Sequence, residues 1–232
     1  MERAEWIELP TSDGSKLRAW TAAATGRQRG LLLFQEAFGV NAHIRDLAQR
    51  LAREGYTVIA PELYHRTAPG FEGDYGDFNA VRKHMAAMTP AGLAADIGAA
   101  YGWLAKEQGL EGRIGAAGYC MGGRVAWQAA VEKPLRGAVS FYGSGIDKML
   151  EGAAKVSGRM LFFWGGSDAH IPPEQRRAVA DALLAAGKPF VMAEFSEAGH
   201  GFFCDARGSY HAPSARQAWR LMLAFLDECF QA

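Results

Sequence analysis

Gly118-Tyr119-Cys120-Met121-Gly122-Gly123 constrains this chain more than any other stretch. An apolar run, Ile114-Gly115-Ala116-Ala117, precedes it, and a helix-like pattern, Val125-Ala126-Trp127-Gln128-Ala129-Ala130, follows. Strand, glycine-flanked turn and helix is the setting in which G-x-nucleophile-x-G carries chemistry. Glycines let backbone pass close to backbone at such a turn, while the central residue is held under strain. Here that residue is Cys120, at the start of the expected helix, where the dipole and free N–H groups favour a thiolate. The plain alternative is a glycine-rich turn around a buried, inert cysteine.

A cysteine nucleophile needs a base and a group to orient the base. The run Met160-Leu161-Phe162-Phe163-Trp164 reads as a buried strand and ends in Gly165-Gly166-Ser167-Asp168. The next apolar run, Phe190-Val191-Met192-Ala193, leads to Glu197-Ala198-Gly199-His200-Gly201-Phe202. Nucleophile, acid and His therefore follow in the order of α/β-hydrolases, with 48 positions from Cys120 to Asp168 and 32 from Asp168 to His200. Asp168 could instead cap a helix beginning near Pro172-Pro173, and His170 is the rival base, two residues after Asp168. No metal is expected. The six histidines form no H-x-x-x-H or H-E-x-x-H pair, and Cys204 and Cys229 have no C-x-x-C spacing.

Strand and helix patterns alternate along the chain. Trp6–Leu9 and Lys16–Thr21, around Ser12-Asp13-Gly14-Ser15, suggest an edge hairpin. Gly30–Phe34, Thr57–Ala60 and Ala138–Tyr142 read as further strands. Asn41 looks like the cap of a helix whose apolar face is Ile44, Leu47, Ala48, Leu51 and Ala52. Helices are also expected over Leu93–Lys106, Glu174–Ala186 and Ala215–Phe230. This order calls for an α/β fold with a mostly parallel central sheet covered by helices on both faces. With 232 residues and no dividing linker, one domain over 1–232 is expected, with a lid or insertion at about 64–90.

The charges balance, at 25 basic and 25 acidic residues, and no basic run appears. Neither nucleic acid nor a membrane surface is an expected partner. The start, Met1-Glu2-Arg3-Ala4-Glu5-Trp6, has no signal-peptide pattern, and three cysteines fit a reducing compartment, so a cytoplasmic location is expected. Neither G-x-G-x-x-G nor G-x-x-x-x-G-K-[ST] occurs, and no cofactor is expected.

Gln35-Glu36-Ala37-Phe38-Gly39-Val40-Asn41, Ala60-Pro61-Glu62-Leu63-Tyr64, Ala116–Gly123, Gly166-Ser167-Asp168 and Gly199-His200-Gly201-Phe202 together resemble the dienelactone hydrolase family (carboxymethylenebutenolidase-like). That family is a cysteine-nucleophile branch of the α/β-hydrolases. The resemblance implies that fold, a Cys120–His200–Asp168 triad, and a role for Glu36 beside the thiol. It also implies an oxyanion hole made by the backbone N–H groups of Ala37 and Met121. The alternative for Glu36 is a structural carboxylate bonded to backbone or arginine. Members acting on dienelactone carry an arginine four positions after the catalytic His, and here that position is Cys204, with Arg207 the nearest later arginine. Arg82 and Lys83 are other cations that could serve. Small acyl groups, without strong dependence on a free carboxylate, are therefore the expected substrates.

Ligands in parallel sheets bind beyond the carboxyl ends of the strands, where Glu36, Cys120, Tyr142, Asp168 and His200 are all expected to fall. Expected pocket walls are Phe38, Tyr64, Tyr142, Ile171, Phe202 and Phe203, although core packing is the commoner fate of such side chains. The function expected from all this is hydrolysis of small esters or lactones through a thioester. The alternatives are hydrolysis of activated electrophiles such as phosphate triesters, and a non-catalytic binding protein.

Overall fold

The computed structural model describes residues 3–23, 26 and 29–231. Met1 and Glu2, read above for a targeting pattern, lie outside them. The chain forms two compact units, Met1–Gly115 and Ala116–Ala232.

The first unit begins with the expected hairpin. β1 (Arg3–Pro10) pairs antiparallel with β2 (Lys16–Ala23), setting Trp6 opposite Trp20. Those two rings meet edge to face at 5.3 Å, and the Arg18 guanidinium lies 3.7 Å over the Trp6 ring. β3 (Arg29–Phe34) and β4 (Tyr56–Pro61) are parallel, and β2 pairs antiparallel with β4. Both β3 and β4 are almost wholly buried, the pattern of strands covered on two faces. α1 (Ala42–Arg53) joins them. Asn41 caps it by accepting from the Ile44 N–H, and its buried face holds all five apolar positions read from the periodicity, together with His43. α2 (Phe78–Ala87) is capped by Asp77 and α3 (Pro90–Gly102) by Thr89. The expected Leu93–Lys106 helix is thus α3 followed by a π-helical turn at Trp103–Glu107.

The second unit carries β5 (Ile114–Tyr119) from Ala116 on, then β6 (Gly137–Phe141), β7 (Arg159–Gly165) and β8 (Phe190–Phe195), all paired parallel in that order. Between and after them come α4 (Met121–Glu132), α5 (Pro173–Ala185) and α6 (Ala212–Gln231). Trp127, Phe141, Phe162, Phe163 and Phe202 are among the largest fully buried side chains. Burying each contributes about 1.5–3 kcal/mol. β8 alone is only half-buried, as suits an edge strand. The mostly parallel α/β architecture expected from the alternation is present. No helix among the described residues is long and apolar enough to cross a membrane.

Candidate active site

The strand β5 delivers its chain to Cys120 in a conformation that L-residues rarely adopt, φ 54° and ψ −119°. Holding it there costs about 1–3 kcal/mol, which the surrounding packing must over-determine. The glycines explain how the packing does so. A Cβ on Gly118 would strike the Gly122 carbonyl, and one on Gly123 would lie 2.7 Å from Ser140 Oγ and 2.8 Å from Gly143 Cα. Only bare backbone lets α4 start this close to β5 and β6. The Cys120 N–H donates to the Phe141 carbonyl at 3.0 Å, and the Cys120 carbonyl accepts from Gly123 N–H at 2.9 Å. The side chain is left half-buried at the head of α4, with Met121 the first helical residue.

Asp168 lies in the turn after β7, and His200 in the turn after β8. The two turns are stitched together by backbone. Gly166 N–H donates to Phe195 O, Ser167 N–H to Ala198 O, and Ser167 Oγ–H to Ser196 O. Asp168 is not a helix cap, because the cap residue of α5 is Pro172, with no side-chain bond. Instead its Oδ1 accepts the His170 N–H at 2.8 Å, and its Oδ2 meets His200 Nδ1 at 2.8 Å. The other imidazole nitrogen, Nε2, is 3.1 Å from Cys120 Sγ. Thiol, imidazole and carboxylate therefore form one hydrogen-bonded chain. The His170 ring instead stands edge-on to the His200 ring at 5.0 Å, and of the two histidines it is His200 whose ring nitrogen meets the thiol.

Burial pushes the His200 imidazolium down, but hydrogen bonds to Asp168 and Cys120, and their charges, outweigh it and raise the group to about 10. Burial also opposes the Asp168 carboxylate, yet the His200 hydrogen bond and charge, with the His170 N–H, hold it below its usual range. The other cysteines of this unit are both buried, and burial pushes the Cys229 thiol up.

The Tyr142 ring packs edge-on against His200 at 5.1 Å, from a backbone at φ 39°. Phe202 packs on Tyr142, and Phe203 lies among Tyr119, Phe141 and Trp219, so both are buried in aromatic packing. Ile171 is buried beside Trp164 and Val179. The other residues named from the sequence belong to the first unit. Glu36 is 1% exposed, just beyond β3. The Ala37 carbonyl accepts the Tyr64 hydroxyl at 2.9 Å, and Phe38 packs edge-on against Tyr75.

Sequence reading passed over the charged residues near His200. Arg124, Lys148 and His170 line one cavity of about 230 Å³ in the second unit. The available signal was the position of Arg124, one helical turn beyond Cys120.

The profile of the dienelactone hydrolase family matches residues 17–230. A protein of Escherichia coli K12 named "Putative carboxymethylenebutenolidase" is 36% identical over 238 residues, spanning 97% of this chain and 87% of its own. A carboxymethylenebutenolidase of Pseudomonas putida is 31% identical over 228 residues, covering 96% of this chain and 95% of its own. The crystal structure titled "Putative Dienelactone Hydrolase" from Klebsiella pneumoniae superposes with a TM-score of 0.88 at 33% identity, over 98% of this chain and 99% of that one.

Proposed function

Because this chain belongs to the dienelactone hydrolase family, whose α/β-hydrolase fold it has, and is a hydrolase acting on lactones or esters, we propose that it cleaves small esters or lactones with Cys120 as nucleophile. The observation that carries this reading is the unbroken chain Cys120 Sγ–His200–Asp168, with contacts of 3.1 and 2.8 Å.

His200 already holds the proton of the thiol, Sγ attacks the substrate carbonyl as a thiolate, and a tetrahedral oxyanion forms. The Met121 N–H, at the head of α4, is the donor this unit offers to that oxyanion. A preorganised donor of this kind is worth about 3–4 kcal/mol. When the intermediate collapses, the C–O bond breaks, His200 gives its proton to the leaving alkoxide, and the acyl group stays on Sγ as a thioester. Acylation removes the sulfur's charge and its hydrogen bond, two of the causes that hold the imidazolium near 10. The imidazole then becomes a base able to take a proton from water, which attacks the thioester and releases the acid. Asp168 keeps the imidazole in one tautomer throughout. Roles for the Ala37 N–H and the Glu36 carboxyl rest on the resemblance alone.

The test is a rapid acid quench during p-nitrophenyl acetate turnover, followed by peptide mass analysis. An acetyl group on the peptide containing Cys120 is expected, together with loss of both adduct and turnover in Cys120→Ala. Near-wild-type turnover by Cys120→Ala would end the proposal.

A further inference from the structure

Among the described residues, two other than glycine have a positive φ, Cys120 at 54° and Tyr142 at 39°. The first is the nucleophile of the proposed reaction, and the second calls for a reason of its own. Left-handed backbone strains a bulky residue and costs glycine nothing. A glycine does stand one position on, at Gly143, where a Cβ would lie 2.9 Å from the Gly123 carbonyl carbon. The chain thus has glycine where a side chain lacks room, and tyrosine where glycine would sit without strain. Strain of this kind persists only where the surroundings impose it, and it gathers at functional sites.

The Tyr142 N–H donates to Phe163 O at 2.8 Å, which ties the end of β6 to β7. The side chain is fully buried. Phe202 packs edge-on against the Tyr142 ring at 5.3 Å, and Phe195 packs on Phe202 at 5.4 Å. The same tyrosine ring meets the His200 imidazole at 5.1 Å, with the two planes 61° apart. The other ring against that imidazole belongs to His170, an exposed residue.

The two half-reactions load this contact differently. Before acylation the imidazole is held at both nitrogens, by Asp168 at Nδ1 and by Sγ at Nε2. Once Sγ carries the acyl group, that second bond is gone, and Nε2 has no other partner among the described residues. One hydrogen bond at Nδ1 leaves the ring able to swing about it. Yet Nε2 must now take a proton from water, whose oxygen adds to the thioester carbonyl. The C–S bond then breaks, and the thiolate returns beside the imidazolium. The Tyr142 contact is made through the ring face and edge rather than through the sulfur, so acylation does not remove it.

We propose that Tyr142 is a positioning residue for the second half-reaction, its buried ring holding the His200 imidazole in place for water after the sulfur has released it. The inference rests on the function proposed above and assigns Tyr142 to one step of it.

The test separates the two steps with p-nitrophenyl acetate. Acylation is read from p-nitrophenolate release with enzyme in excess. Hydrolysis is read from the decay of the acetyl mass on the Cys120 peptide after unreacted ester is removed. Tyr142→Leu should slow hydrolysis about fivefold, the size of effect an aromatic pair carries, and acylation by less than about twofold. Tyr142→Phe, which keeps the ring, should retain the wild-type ratio of the two rates. A packing defect alone lowers the reactive fraction and leaves that ratio unchanged. Equal slowing of both steps in Tyr142→Leu, or the same split in Tyr142→Phe, would overturn the proposal. If Tyr142→Leu does not fold, Tyr142→Met fills the space without a ring and is read in the same way. No acetyl adduct in the wild type would count against Cys120 as nucleophile instead. The contact is then judged without turnover. Methyl methanethiosulfonate caps Cys120 as a methyl disulfide, and NMR relaxation of the His200 ring carbons reports how far the ring moves. Greater motion in capped Tyr142→Leu than in capped wild type supports the proposal, and equal motion rejects it.

Discussion

Each unit of this protein contains a histidine hydrogen-bonded to a buried aspartate, and the two pairs could hardly differ more in consequence. In the first unit, His65 Nε2 meets Asp96 Oδ1 at 3.0 Å, with side chains 2% and 0% exposed. Arg66 then takes both oxygens of the same carboxylate, at 2.9 and 2.8 Å, and its outer edge holds Asp13 of the β1–β2 turn. That aspartate is fully used, and the pair ties the segment after β4 to α3 and to the hairpin. In the second unit, the His200 side chain is 12% exposed and that of Asp168 1%. The second ring nitrogen there faces a thiol held on a strained turn. A His–Asp contact is therefore not a site in itself. It becomes one when the imidazole's far nitrogen meets a group that can give up a proton and the ring keeps a route to solvent.

The sharpest way to break this comparison is to delete each histidine. His200→Ala should lower ester turnover by about three orders of magnitude or more with the fold intact. His65→Ala should leave kcat per folded molecule near wild type and lower the melting temperature. Equal losses of kcat in the two variants, in steady-state assays of folded protein, would dissolve the distinction.

Asparagine at the two acids probes the same contrast one step further out. Asp168→Asn should lower kcat by about 10²–10⁴, a loss no larger than that of His200→Ala, because the tautomer is no longer held. Asp96→Asn should instead destabilise by about 2–3 kcal/mol, since one amide oxygen cannot satisfy both Arg66 and His65. Chemical denaturation and turnover, measured on both variants, should move in opposite rank order.

The smallest effect expected is on the pH dependence of stability. The folded value of His200, about 10, lies above its unfolded 6.5. Its contribution is thus complete below pH 6.5 and is lost as pH rises through 10. Asp168 is lowered from 3.8, so its contribution holds above that value and is lost as pH falls through the folded one. The stability gap between wild type and His200→Ala should therefore narrow between pH 6.5 and 10. A gap that widens over that range would show that the imidazolium is not what the site stabilises.

Much of this was legible in advance because it rests on local steric demands. Gly118, Gly122 and Gly123 announce a strand-to-helix turn, and at Gly118 and Gly123 neighbouring backbone stands where a Cβ atom would crowd it. Asn41 announces a cap, and the apolar period after it gives the buried face of α1. The order Cys120, Asp168, His200 follows from the order of strands, so the three could be named although 80 positions separate the first from the last. His170 and His200 are harder to separate, because both stand in loops after strands. The turn after β8, bonded to the turn after β7 from Gly166 to Phe195 and from Ser167 to Ala198, is the one that carries the ring reaching the thiol.

Local pattern, then, carried the architecture, the elbow and the order of the three side chains that meet at Cys120, since backbone sterics and apolar periodicity act over a few residues and are written where they act. Tertiary structure alone decided two things. It saturated the Asp96 carboxylate with Arg66, making that His–Asp pair a strut. It also gathered Arg124, Lys148 and His170 around one cavity beside the other pair. Such convergence depends on the direction in which each side chain leaves its own element. That direction is set by how helices and loops pack on the sheet, and no spacing along the chain records it.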